Sequence, residues 1–251
     1  MRAILSDIHG NLEALQAVLS DARCHGVSEI FCLGDLVGYG PHPLECVALS
    51  MAWNVVLQGN FDYATIIDVD LSLWTAHHAA KSVLWCRELL KTSADGSSFR
   101  QFMAERPLIH TENECVFVHG TPRNCLHEFL YPEDIYNTAK LSRIANTFHR
   151  YCFNGTTHIP GIFVEEQSEL WKFFSPTDCD YSYRLDGRKT ICNVGSVGQP
   201  HDGDWRACYV LVDGEFIRFR RISYDVQATA NKIYGNPYLD HWLGVRLTEG
   251  R

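Results

Sequence analysis

Ala3-Ile4-Leu5-Ser6-Asp7-Ile8-His9-Gly10-Asn11 is an apolar run that ends in a carboxylate and an imidazole two residues apart, followed by a glycine and a helix-starting asparagine. On an extended backbone, side chains at i and i+2 leave on the same face, so the run predicts Asp7 and His9 aimed at one ion just beyond a strand end. By itself the pair says little, because Asp-x-His arises by chance and an aspartate ahead of a helix is often only a cap.

Working outward, Asn11 is expected to cap a helix carrying Leu12, Leu15, Val18, Leu19 and Ala22 on one face and closed by Gly26. A short apolar run over 29–33 then ends in Gly34-Asp35, a Gly- and Pro-rich loop follows, and a second helix is expected over 43–52. The next apolar run, 54–57, ends in Gly59-Asn60. Residues 72–90 turn helical, with Leu73, Ala76, Ala80, Val83, Leu84 and Leu90 on the expected buried side, and 99–104 add a short helix; together they form a helical insert over about 72–105. The runs 108–111 and 115–118 suit a hairpin whose second strand ends in His119-Gly120. A helix is expected over 132–147, and 151–153 lead into Asn154-Gly155-Thr156-Thr157-His158. Beyond Pro160 the period changes to two, giving strands near 162–164, 170–174, 181–185, 189–194, 207–212 and 215–221, with Asp186-Gly187 and Asp213-Gly214 as turns. A helical tail begins at 226. With no repeat, low-complexity segment or linker, one domain over 1–251 is expected.

Composition narrows the classes. An apolar fraction of 46% and a charged fraction of 21% describe an ordinary globular chain and exclude disorder. The net charge of −8 argues against a broad nucleic-acid-binding face. No apolar run is long enough to span a bilayer and no charged leader precedes the first strand, which predicts a cytoplasmic protein without a membrane partner. Ten cysteines without a Cys-x-x-Cys pair, five of them in strand-like runs, predict structural free thiols.

Five apolar runs thus end in a glycine-flanked residue able to ligate a metal: Asp7 with His9, Asp35, Asn60, His119 and His158. In layered α/β proteins the loops at strand carboxyl ends converge on one crevice, so residues distant in sequence can meet there. The alternative is five unrelated turns, since Gly, Asn and Asp populate turns freely.

The ordered series Asp7-x-His9, Gly34-Asp35-x-x-Gly38, Gly59-Asn60-x-Asp62, Val118-His119-Gly120 and Gly155-x-x-His158 resembles the calcineurin-like metallophosphoesterases, most of all their small prokaryotic phosphodiesterase-type branch. The stretches 35–41 and 193–200 extend the resemblance over nearly the whole chain. It implies an α/β fold, a four-layer αββα sandwich of two mixed β-sheets with flanking helices. It also implies two divalent ions (Mn, Fe, Ni, Co or Zn) holding a hydroxide that attacks phosphorus in a small phosphate ester, so that no Ser or Cys nucleophile is needed. On this reading Asp7, His9 and His158 hold the first ion, Asn60 and His119 the second, and Asp35 bridges.

Two positions depart from the family pattern. Phe61 stands where a histidine general acid is usual, and Thr156 where a histidine ligand of the second ion is usual. Two ions and two carboxylates leave about +2 to attract phosphate, whereas one ion leaves about zero, so a weak or empty second site would undercut catalysis. The expectation is a phosphoesterase of reduced activity, with a single-metal binding or regulatory relative as the alternative. His42, His77, His78 and His127 are possible replacement acids or plain structural histidines, Asp62 is expected to cap or brace its loop, and Arg123 is either a phosphate contact or a surface ion pair.

Overall fold

Strand β1 (Arg2–Leu5) is buried on both faces: Ala3 and Leu5 point into one apolar cluster and Ile4 into another. A central strand reads as a continuous apolar run when both of its faces are covered. In the computed structural model, which describes residues 1–67, 69–71, 76–167 and 170–251, that pattern recurs in two mixed six-stranded sheets.

In the first sheet β1, β2 (Glu29–Cys32) and β3 (Val55–Val56) run parallel, connected through α1 (Leu12–Cys24) and α2 (Pro43–Ser50). On the other side of β1 lie, antiparallel, β11 (Ala207–Asp213), β12 (Phe216–Ile222) and β9 (Ser182–Arg184). The second sheet has β4 (Ile109–Glu112), β5 (Cys115–Val118), β6 (Tyr151–Asn154), β10 (Thr190–Asn193), β7 (Gly161–Gln167) and β8 (Leu170–Phe174), in that spatial order. Ile4, Phe31, Val210, Phe117, Phe153 and Cys192 fill the space between the sheets, with Phe117 stacked on Phe153 at 5.2 Å. Helix α1 covers the outer face of the first sheet, where Leu15 and Val18 meet Ala3, Tyr209 and Leu211. Helix α6 (Thr138–Ala145) covers the second, where Leu141 and Ile144 meet Val116, Cys152 and Ile191. This is the expected αββα sandwich.

Further helices surround these layers: α3 (Asn60–Ile66), α4 (His77–Thr92), α5 (Gly96–Ala104), α7 (Val226–Tyr234) and α8 (His241–Glu249). Among the described residues no helix is long and apolar enough to cross a membrane. All ten cysteines are free, as expected, and Cys32, Cys152, Cys192 and Cys208 are buried. The Asn11 side chain accepts from the Ala14 N–H and caps α1.

Several expectations are corrected. Residues 132–147 do not form one helix: a 3₁₀ turn over Pro132–Tyr136 stops at Asn137, whose side chain accepts from Lys140 N–H and caps a separate α6. Leu84 is 54% exposed on α4, off the buried stripe of Ala79, Val83, Cys86 and Leu90. Leu73 lies outside the described residues. Asp213-Gly214 closes the β11–β12 hairpin, but Asp186-Gly187 lies between β9 and β10, which belong to different sheets.

Candidate metal centre

The parallel strands β1, β2, β5 and β6 all deliver their following loops to one end of the sandwich. Asp7 and His9 meet there for a reason other than strand alternation: β1 stops at Leu5, and both residues adopt left-handed backbone, φ 55° and 48°. Asp35 (φ 56°) and His158 (φ 60°) do the same, as do Tyr39 and Thr156 nearby, so six of the nine non-glycine residues found with positive φ surround this one place. Strained backbone of this kind persists where neighbouring structure over-determines it and clusters at functional sites. Here the bracing is visible. Asp7 N–H donates to Gly34 O (3.0 Å), His9 N–H to Asp35 O (2.9 Å) and Gly198 N–H to Asp7 O (2.9 Å), while Ser196 Oγ also donates to Asp7 O (2.8 Å).

Asp62 is the expected brace. Its buried carboxylate accepts from the backbone N–H groups of Asp35, Leu36 and Gly59 at 2.8–3.1 Å and from Val37 at 3.3 Å. Asp62→Ala would orphan these donors; the expected outcome is a loss of about 3 kcal/mol in urea denaturation of the metal-free chain, and a loss below about 1 kcal/mol would deny the bracing role.

Three imidazoles are oriented alike. The Nδ1 of His9, His119 and His158 lies 3.0, 3.1 and 2.6 Å from the carbonyl oxygens of Val37, Leu33 and Gln199. A carbonyl only accepts, so each Nδ1 carries a proton and, in a neutral ring, each Nε2 turns a lone pair inward. His9 and His158 present these Nε2 atoms to each other at 3.2 Å, close to the spacing of two nitrogen ligands each about 2.0–2.1 Å from one ion. Asp7 Oδ1 lies 3.2 Å from His158 Nε2 and 3.8 Å from His9 Nε2, fully buried and without a hydrogen-bond partner among the described residues. Asp35 Oδ2 stands 3.7 Å from His9 Nε2 and 3.3 Å from His119 Nε2, between the two halves of the site. Asn60 Oδ1 lies 2.9 Å from His119 Nε2. The groups Asp7, His9, His158 and Asp7, Asp35, His119 each keep their ligand atoms within 4.8 Å of one another.

An orphaned buried oxygen among converging lone pairs fits divalent cations, and the mixed N/O donors suit Mn, Fe, Co, Ni or Zn. Glycine makes the packing possible: a Cβ at Gly59 would lie 2.1 Å from Asp35 Oδ1, and one at Gly155 would lie 2.4 Å from Asp7 Oδ2. The electrostatics agree. Burial opposes ionisation of Asp7, but His158 and His119 outweigh it and hold the carboxyl well below its usual range. Burial pushes His9 down to about 4 against the pull of Asp35. Burial would also discharge His119, but Asp35 and Asp7 prevail and raise it to about 9. A cation entering that half of the site therefore displaces a proton.

A sequence model of the calcineurin-like phosphoesterase superfamily domain matches residues 1–215. The chain belongs to this superfamily. It is 35% identical to an uncharacterized protein of Methanocaldococcus jannaschii, over 100% of this chain and 98% of the relative. A crystal structure of a metallophosphoesterase from Sphaerobacter thermophilus superimposes with a TM-score of 0.83 at 31% identity, covering 100% of this chain and 98% of that one. A hypothetical protein from Pyrococcus horikoshii shares the fold, with a TM-score of 0.75 at 20% identity over 100% of this chain and 99% of that one.

All six residues expected as ligands, Asp7, His9, Asp35, Asn60, His119 and His158, lie in this one place. Both departures lie beside them. Phe61 packs edge-on against His9 (5.0 Å) and tilted on Tyr39 (4.6 Å), part of the wall of a cavity of about 420 Å³ that also reaches Asp35, Asn60 and His158. Thr156 spends its hydroxyl on His119 O (2.7 Å) and its N–H on Asp7 Oδ2 (2.9 Å). Arg123 does not line the cavity; its guanidinium pairs with Glu128 in its own loop, the surface alternative. Of the spare histidines, His127 lines the cavity with Phe129, whereas His42 contacts Glu45 and Lys232. Sequence reasoning missed His201, which lines the cavity with its ring 4.2 Å from that of His158. The signal was one residue away, since the recognised stretch 193–200 stops just before it.

Proposed function

We propose that this chain hydrolyses a small phosphodiester, or a monoester with a good leaving group, in the cavity beside Asp35, Asn60 and His158. One observation carries the reading: three imidazoles with their Nδ1 protons committed to carbonyls turn Nε2 toward the orphaned Asp7 Oδ1 and the intermediate Asp35 Oδ2. Divalent ions, when bound, supply positive charge for the phosphoryl oxygens and make water nucleophilic near neutral pH. Asp7, His9 and His158 would hold one ion and Asn60 and His119 another, with the Asp35 carboxylate available to either. Among the described residues no Lys or Arg lines the cavity, so the anion is attracted by whatever cations these ligands retain. Phe61, Ala76, Ala79 and Phe129 give the ester's substituent an apolar wall that excludes water. With phenylalanine at 61, the leaving oxygen receives no proton from that side, which favours leaving groups already stable as anions.

Purified protein with added Mn²⁺ or Ni²⁺ is expected to cleave bis-p-nitrophenyl phosphate, to lose this on chelation and to regain it on reloading. Absence of metal-dependent turnover with any of the five metals would overturn the reading.

A second reading is favoured by the commitment of the Thr156 hydroxyl to His119 O: a chain that retains one tight ion and serves as a binding or regulatory protein. Two ions per chain by elemental analysis support the hydrolase and one supports the alternative.

A further inference from the structure

We propose that Arg246 and His201 form a cationic relay that presents the Nδ1–H of His201 to a phosphate oxygen in the cavity. The inference rests on the cavity taking phosphate esters, and concerns the part of the chain that the superfamily pattern does not describe, since Arg246 lies on α8, beyond residue 215.

Hydrogen-bond logic fixes the tautomer. Arg246 Nη2 lies 2.8 Å from His201 Nε2, and a guanidinium can only donate, so Nε2 carries the lone pair and Nδ1 the proton. Gln199 Oε1, 3.1 Å from the same nitrogen, is consistent once its amide is turned over to donate; no rotation makes arginine an acceptor. The Nδ1 of His201 has no protein partner among the described residues, and the ring lines the cavity.

The relay also has a source of charge. The other arms of Arg246 reach His78 Nε2 (3.2 Å) and a main-chain oxygen of Arg251 (2.8 Å). A partly buried cation polarises the imidazole it touches and strengthens the N–H on the far side of the ring. Among the described residues no Lys or Arg lines the cavity, so this is a positive contribution that the protein itself makes, beside Phe61 and Thr156, where the resemblance implies histidines.

The test uses the Zn²⁺-loaded chain and inorganic phosphate. ¹⁵N-edited NMR of the imidazoles is expected to show His201 as a single Nδ1–H tautomer whose resonance shifts as phosphate is added. By calorimetry, His201→Ala and Arg246→Met, with metal content unchanged, are expected to bind phosphate at least about 10-fold more weakly, whereas His201→Asn, whose amide donor reaches the Nδ1 position, stays within about 3-fold. An Nε2–H tautomer in the unaltered chain, or His201→Ala binding phosphate as tightly as the unaltered chain, would overturn the proposal, and the tautomer measurement needs no variant to fold. Phosphate bound through His201 without turnover of any ester supports the relay and sinks the hydrolase. Ester turnover untouched by both substitutions does the reverse.

Discussion

Asp35→Asn is expected to lower kcat/KM for bis-p-nitrophenyl phosphate by at least about 10³-fold while leaving the chain folded. The carboxylate divides its work. Oδ1 accepts the Phe61 N–H at 2.8 Å, a bond that an asparagine oxygen keeps, whereas Oδ2 faces His9 and His119 at 3.7 and 3.3 Å. The substitution turns that second arm into an amide donor and removes one negative charge from the pair of carboxylates that would hold the proposed ions. Metal content is expected to fall with activity. In the metal-free variant the lost attraction of Asp35 for His119 opposes the relief of its repulsion with Asp62, so the melting temperature is the control for folding. Activity within 10-fold of the unaltered protein, measured with Mn²⁺ in excess, would remove Asp35 from the centre.

The reverse experiment restores what the chain lacks. Phe61→His with Thr156→His is expected to raise turnover of an ester with a poor leaving group by about 10²–10⁴-fold, and of bis-p-nitrophenyl phosphate much less. A histidine at 61 would occupy the cavity wall next to Asn60, where a proton can reach a departing alkoxide. At 156 the backbone is left-handed, φ 71°, a conformation in which histidine is among the better tolerated residues. The cost is the bond from the Thr156 hydroxyl to His119 O, so the thermal midpoint of the double variant is the control. Equal gains on both esters would mean that metal loading, not proton delivery, was limiting. No gain with two ions bound would mean that the natural cavity already holds an adequate donor.

The six candidate ligands were legible because each follows a short apolar run that ends beside a glycine. The manner of convergence was not. Asp7 and His9 looked like neighbours on an extended strand, yet they meet through two left-handed residues held by backbone bonds from segments near 34 and 198, and long-range bracing of that kind leaves no local trace. Asn137 looked like one polar residue inside a helix and is a cap; Leu84 has the right spacing yet lies off the buried stripe of α4. His201 and Arg246 were invisible as a pair, since their meeting depends on where the tail returns after β12.

The position of β1 has a bearing on how the chain is born. Its Arg2–Ile4 segment pairs with Ile4↔Val210 through Arg2↔Val212, so β1 waits for β11, far along the chain, to complete its sheet. Until then the open flank of β1 offers unsatisfied amides and apolar side chains to any passing strand. Such distant pairing folds slowly and exposes the nascent protein to misassociation, so a synthesis arrested before residue 207 would release a fragment suited to aggregation and to chaperone capture.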